Sequence, residues 1–566
     1  MKNNRVQIKA LCAEIMASIF TVLCAITASV QPIYGDVDNY VISLVANKVF
    51  LGSEQDGYII HLNPLLCKVL EWAHEVMPMA DCFMVVSNIL LLVAIWVIAY
   101  WVARWSNSFC KLIGSYAVLF AVIYVNDMLH DNYTRWAAFF SAVGMILLVM
   151  CMHKQVFDIK LILVASSMLA CGMMWRDEAF FVFLPFLAVE IVCSAIHSMG
   201  NRGWKETFWY LGKVLLIPLL VCVVLLGLDW QTKNSSEYRE AVVYDNARVS
   251  VVDYPMKRWQ EMIEVPTEIS KNDYESIKKW LLMDTERIDV QYYNSVKEVA
   301  QKRAYNLDFD GFISAQKNVL SVFIDSEYFH FLGTLLVAVF ILVLFSKASW
   351  WIKLKICLLY MGMDIIFLYF AFAGRAIERG FLPAIYAVLA SSLIFVLTQD
   401  ELVKSRVYSL LNYLGVAIAV LFTVIEISTT DIVPKQSAWT AARDAENKYE
   451  TLCEGENLYI WNISSYTGIP MQAFMSQGKL MTTDFMKHNI FDGSWTYGQV
   501  CYNQLLEEIN AANPMRALLE RENTYYVAEE YKYVLTYLQE HYDGNTVVVQ
   551  VGEIDYIPIW QFTVLE

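Results

Sequence analysis

The sequence predicts a mainly α-helical, polytopic membrane protein with external helical loops and a C-terminal α/β domain. Two observations carry this. Of its 566 residues 57% are hydrophobic and only 17% charged, with a mean hydropathy of +0.42, too apolar for a soluble chain of this length. The last 135 or so residues abandon the long apolar runs and mix strand-like with helix-like patterns.

A membrane span needs about twenty apolar residues. Hydropathy places roughly eleven candidates, at 10–30, 82–103, 112–127, 135–152, 160–175, 178–197, 207–228, 329–346, 353–373, 380–397 and 407–427. The first follows Lys2, Arg5 and Lys9, but its apolar run exceeds that of a typical secretory signal, and it reads as a retained anchor. Basic residues gather in the N-terminus and alternate short gaps: Lys2, Arg5, Lys9, Arg104, Lys111, Lys154, Lys160, Arg202, Lys205, Lys347, Lys353, Lys355, Lys404 and Arg406. By the positive-inside rule the N-terminus is expected in the cytoplasm, with 31–81, 229–328 and the tail outside. A plasma-membrane location is expected.

The domain expectation follows: 1–430 membrane-embedded, with external pieces at 31–81 and 229–328, and 431–566 a separate external α/β domain. In 31–81, "NYVISLVANKVF" and "LNPLLCKVLEWAHEVM" have helical apolar spacing and read as helices in the interface plane. In 229–328, "SKNDYESIKKWLLMDTERI" reads as a helix capped by Ser270 or Asn272. In the tail, "NLYIWNI", "TYYVAEE", "NTVVVQV" and "IPIWQFTVL" read as strands, and "VCYNQLLEEINAA" and "YKYVLTYLQEHY" as helices. Net charge is −15 and no basic patch exists, which sets nucleic acid aside as a partner. The 12 cysteines show no metal-ligand spacing; Cys453 and Cys501 are either a disulfide or two buried thiols.

Ionisable residues cluster where spans meet the external face: Asp36 and Asp38 in "QPIYGDVDNYV", then Asp127, Asp131 and Arg135, then Arg176, Asp177 and Glu178, then Arg375, Glu378 and Arg379. His61 lies in the first external loop. Each alone is commonly a snorkelling residue or helix cap. Tyr34 and Tyr40 read equally as interface-belt aromatics, His61 as a satisfied buried histidine, and Asp177 and Glu178 as N-caps. Asp364 falls inside a span, where an acid must pair or line a cavity. Together, carboxylates and arginines on one face suit a specific chemistry: a carboxylate takes a proton from an attacking hydroxyl, and an arginine holds a departing phosphate with two donors.

"GDVDNY" after the first span, "HLNPLLCKVL", "NYTRWAAFF", "WRDEAFFVFLPFL" and "GRAIERGFLPAIY" follow one another in an order and sidedness that resembles the GT-C superfamily of polyprenyl-phosphate-sugar-dependent glycosyltransferases. The resemblance covers the first 430 or so residues in architecture and the tail more loosely. It implies an inverting transfer of sugar from a polyprenyl-phosphate donor to an extracytoplasmic acceptor, a cell-surface glycan, lipid or protein, with membrane lipids as surroundings. It implies that Asp36 or Asp38 acts as base or helps to bind a divalent cation, Mg²⁺ or Mn²⁺. It implies that Arg176, Arg375 and Arg379 face the donor phosphate, and it leaves Tyr40, His61, Tyr133, Arg135, Asp177 and Glu178 as cavity residues. Two departures stand out. Val37 separates the two acids where several families have adjacent ones, and His61 precedes Leu62-Asn63-Pro64 rather than proline directly. A transporter or flippase of lipid-linked glycans, or a non-enzymatic scaffold, are the competing readings. A pathway across the bilayer would mark the transporter.

Overall fold

The computed structural model describes residues 2–28, 37–50, 58–123 except 79, 132–262 except 156, 269–398 except 347, 455–463 and 483–565 except 555, with the isolated 265 and 452. Ten of the eleven apolar stretches coincide with helices: α1 (Lys2–Ala28), α4 (Cys82–Trp105), α5 (Phe109–Ile123), α6 (Tyr133–Lys154), α7 (Ile159–Trp175), α8 (Asp177–Arg202), α9 (Trp204–Lys233), α14 (Glu327–Phe345), α15 (Trp350–Phe372) and α16 (Glu378–Thr398). Seven of them are long and apolar enough to cross a membrane; α5, α7 and α14 contain shorter apolar runs. The stretch 407–427 lies outside the described residues.

Burial ranks the helices. α6 is 94% and α16 78% buried over their apolar windows, whereas α1 and α9 are each 22% buried, so α6 and α16 form the centre and α1 and α9 the rim. The rim exposes Ile15, Ile19 and Val22 of α1 and Leu219, Leu220 and Val223 of α9, a surface suited to lipid. α6 and α7 approach closely through small residues. A Cβ on Gly172 would lie 2.1 Å from Ser141 Oγ and 2.9 Å from the Ala137 carbonyl. Gly172→Ala is therefore expected to destabilise the purified protein by about 1–3 kcal/mol, the usual size of overpacking. Gly212→Ala, with nothing within 4 Å, should leave the melting temperature unchanged.

Between α1 and α4 run α2 (Val37–Ala46) and α3 (Pro64–Val76). α3 starts where expected because Asn63 accepts from Leu65 N and Pro64 sits at its first position. Between α9 and α14 lie α10 (Arg239–Val252), α11 (Lys271–Lys278), α12 (Val290–Ala300) and α13 (Phe309–Asp325). Ser270, not Asn272, caps α11, with Asp273 completing a capping box. The helix read across 270–288 ends early. Trp280 takes φ 63, and Leu281, Leu282 and Met283 are buried, the amide of Leu282 donating to the Asp492 carbonyl at 2.9 Å. Tertiary pairing overrides the helical spacing.

The tail contains β1 (Leu458–Trp461), α17 (Thr483–His488), β2 (Asn489–Phe491), α18 (Val500–Glu508), α19 (Pro514–Glu520), β3 (Thr524–Val527), α20 (Lys532–His541), β4 (Thr546–Ile554) and β5 (Ile557–Val564). The sheet order is β2-β1-β3-β5-β4. β1 pairs in parallel with β2 and β3, and β5 runs antiparallel to β3 and β4. The strand missed in the sequence is β2, three fully buried residues with no alternation to read. Cys501 is a buried free thiol, its pKa pushed up by burial to about 12; Cys453 lies outside the described residues.

This sheet domain docks on the 229–328 segment. The buried carboxylate of Asp284 accepts from Asn513 Nδ2 at 2.9 Å, Tyr537 Oη at 2.9 Å and Tyr542 Oη at 3.0 Å. Asp284→Ala would take the acceptor from the buried Tyr537 hydroxyl, at about 1–3 kcal/mol for a buried donor left unmet, and one acceptor each from buried Asn513 and half-buried Tyr542. Faster proteolysis or hydrogen exchange at 500–545 than in the native protein is the expected result; unchanged protection would show that the seam is held elsewhere.

Candidate functional site

One end of the helix bundle gathers the charges. Asp38 lies in the first turn of α2 and Arg379 in the first turn of α16. The Arg379 guanidinium donates to Asp38 Oδ2 at 2.7 Å. Before α16 the chain turns at Gly374, whose φ of 73 favours glycine and where a Cβ would lie 1.9 Å from Pro255. Glu378, one residue before Arg379, accepts from Arg135 at 3.3 Å.

Arg176 occupies the break between α7 and α8, at once the C-cap of one and the N-cap position of the other. Its guanidinium donates to Tyr133 Oη and, at 3.2 Å, to Thr134 Oγ1, and it pairs with Glu178 at 3.3 Å. It also stands over the Tyr133 ring, 4.9 Å from the centroid. α6 is set by its Asn132 cap, and Asn39 Oδ1 accepts from Tyr133 N at 3.0 Å, tying α2 to α6. Asp38, Arg379 and Arg176 thus belong to one electrostatic group.

Burial works to raise the pKa of Asp38, but the charges of Arg379, His61 and Arg176 and the Arg379 hydrogen bond outweigh it and hold the carboxyl below its usual value. Burial is also the largest influence on His61. It lowers the pKa together with Arg176 and Arg248, against Asp245 and Asp38. The His61 ring packs edge-on against Trp495 of the sheet domain, 5.0 Å between centroids. His61 further lines a narrow cleft with Leu62, Asn63, Met173, Asp177, Leu226, Asp229 and Lys233. Asp229 and Lys233 pair there at 2.8 Å.

The remaining expectations divide. Tyr40 is 1% exposed and belongs to the core rather than to an interface belt. Asp177 and Glu178 sit in the first turn of α8, after the N-cap position rather than at it. Arg375 points elsewhere: it donates to Asp253 at 3.2 Å and stands over Tyr254. Asp253 continues through Arg248 at 3.7 Å to Asp245 at 2.7 Å from that arginine. Asp364, the acid inside a span, is paired: it accepts from Gln316 at 2.8 Å. Asp36, Asp127 and Asp131 lie outside the described residues.

Sequence reasoning missed Asn39, Thr134, Asp229, Lys233 and Trp495. Asn39 and Thr134 adjoin residues already singled out. Asp229 and Lys233 were visible as an i, i+4 pair ending a span, whereas nothing local marks Trp495. For a metal, the group among the described residues whose donor atoms converge is Asp273, Glu540 and His541. It lies on the seam between α11 and α20, and hydrogen bonds already serve it: His541 Nε2 to Asp273 at 2.6 Å and Ser270 Oγ to Glu540 at 2.6 Å.

No protein-family model matches this chain, and no curated protein matches it either.

Proposed function

We propose that the chain is a membrane glycosyltransferase of the GT-C kind, which moves a sugar from a polyprenyl-phosphate donor to a hydroxyl outside the membrane. The observation that carries this reading is the Asp38–Arg379 ion pair with Arg176 in the same electrostatic group, at the helix-bundle end where the loop helices and the sheet domain meet. A base and phosphate-binding cations are the two things such a transfer needs from a protein.

The donor phosphate competes with Asp38 for Arg379. Once the arginine turns to phosphate, the carboxylate loses the partner that depresses its pKa and becomes a better base. Asp38 then takes the proton of the acceptor hydroxyl, whose oxygen bonds to the anomeric carbon. The bond from that carbon to the phosphate oxygen breaks, its electron pair staying on the phosphate. Arg176 and Arg379 stabilise the charge that develops there, and the sugar inverts.

A transporter reading draws on the Glu190–Lys355 pair, 3.0 Å apart and buried between α8 and α15. The two charges are already met by each other. The deciding experiment offers the purified protein in liposomes a radiolabelled polyprenyl-phosphate hexose. Release of free polyprenyl phosphate with sugar in water or on an acceptor supports the enzyme. Movement of intact donor between leaflets without cleavage overturns it.

A further inference from the structure

The loop 492–499 leaves the carboxyl end of β2, in a sheet whose parallel strands stand in the order β2-β1-β3. Three hydrogen-bonding groups of this loop are buried without a partner among the described residues: Trp495 Nε1, Thr496 Oγ1 and Gln499 Nε2. Buried polar groups are normally satisfied, so three within five residues call for a reason. Slackness is not the reason. Tyr497 Oη donates to the Phe491 carbonyl at 2.5 Å, and Gln499 N to the Thr496 carbonyl at 2.8 Å. Gly498 holds φ 80 with the Tyr244 ring 2.4 Å from where a Cβ would stand.

The same loop sets the Trp495 ring against His61, which lines the cleft containing Asp177 and Asp229 and lies within electrostatic reach of Asp38. Unpartnered polar groups of the loop therefore stand on one side of this contact, Asn63, Asp177 and the Asp229–Lys233 pair on the other, and an indole between them. A phosphate has no proton to give the Asp177 carboxylate and is repelled by it. An amine satisfies the carboxylates and leaves the donors unmet. A sugar ring gives hydrogen bonds, takes them, and lays its C–H face on an aromatic ring.

We infer that the 492–499 loop and the His61 cleft together bind the acceptor, and that the acceptor end is a saccharide. The inference rests on the glycosyltransfer reading, and names the acceptor class that reading leaves open. Binding parts the Trp495 and His61 rings and brings an acceptor hydroxyl to the Asp38 side of His61.

The test uses the full-length protein and a panel of p-nitrophenyl hexosides. Saturation-transfer NMR measures hexoside binding without donor. Steady-state transfer from a polyprenyl-phosphate hexose gives the KM for each substrate. Trp495→Phe keeps an aromatic ring beside His61 and removes the indole donor, and should raise the hexoside KM about 3- to 10-fold, the size of one hydrogen bond. Trp495→Ala should abolish the NMR signal. The KM for the donor should not move in either variant. Native protein that transfers sugar but gives no saturation transfer to any hexoside overturns the inference and leaves the enzyme reading standing. Hexoside binding that depends on Trp495, with no cleavage of donor, upholds the saccharide site and overturns the enzyme reading. A donor KM that rises together with the hexoside KM makes Trp495 a packing residue and also overturns the inference.

Discussion

Asn in place of Asp38 is expected to lower sugar transfer by about 10²–10⁴-fold, the usual size of general-base catalysis. The effect should fall on kcat. The native carboxylate holds Arg379 as an ion pair, so neutralising it weakens that hold, and the donor KM should stay level or drop. This separates a base from a binding residue, whose loss raises KM. The fold should tolerate the change, because the pair is partly exposed, 34% for Arg379 and 24% for Asp38, and such pairs stabilise little. The pH profile gives a second check. In the free enzyme Asp38 is held below its usual pKa chiefly by Arg379, against the upward pull of burial. In the donor complex Arg379 holds phosphate and that restraint weakens. The acid limb of kcat, which reports the complex, should therefore lie at higher pH than that of kcat/KM, which reports the free enzyme. Asp36→Asn is the companion variant. If Asp38→Asn turns over at the native rate while Asp36→Asn does not, the base is Asp36. If both turn over at the native rate, the carboxylates of "GDVDNY" are structural.

What the sequence made legible depended on whether the signal was local. Spans such as 82–103 and 178–197 were readable because hydropathy needs no partner, and the α3 start because Asn63-Pro64 is a self-contained cap. The helix read through 270–288 failed because the cause of its end, pairing of Leu282 with Asp492, lies over two hundred positions away. The charged end followed the same rule. Asp38, Arg176 and Arg379 stood out at span ends, and they do converge. Arg375, four residues before Arg379, looked equivalent, yet the turn at Gly374 precedes it and its partner Asp253 comes from another segment. Trp495 was invisible for the same reason: only the docking of the sheet domain brings it to His61.

Lys in place of Arg176 should lower transfer by about 10²–10³-fold, comparable to removing one preorganised donor from a charge-stabilising site. Lysine keeps the charge, so a purely electrostatic or snorkelling role predicts little change. What lysine cannot keep is the fork. The native guanidinium reaches Tyr133 Oη, Thr134 Oγ1 and Glu178 at once while lying over the Tyr133 ring, which fixes its plane beside Asp38 and Arg379. A flexible ammonium can satisfy Glu178 or meet a phosphate, but it has neither the planarity to be held by Tyr133 nor two parallel donors for phosphate oxygens. Arg176 also joins α7 to α8, so a structural explanation must be separated from a catalytic one. Tyr133→Phe provides the comparison, since it removes the hydroxyl that accepts from Arg176 but leaves the ring beneath it. If Arg176 grips phosphate, Tyr133→Phe should cost less than Arg176→Lys in kcat, and both variants should melt near the native temperature. If Arg176 is only the joint between helices, Arg176→Lys should lower the melting temperature and leave the turnover of the folded fraction at the native rate.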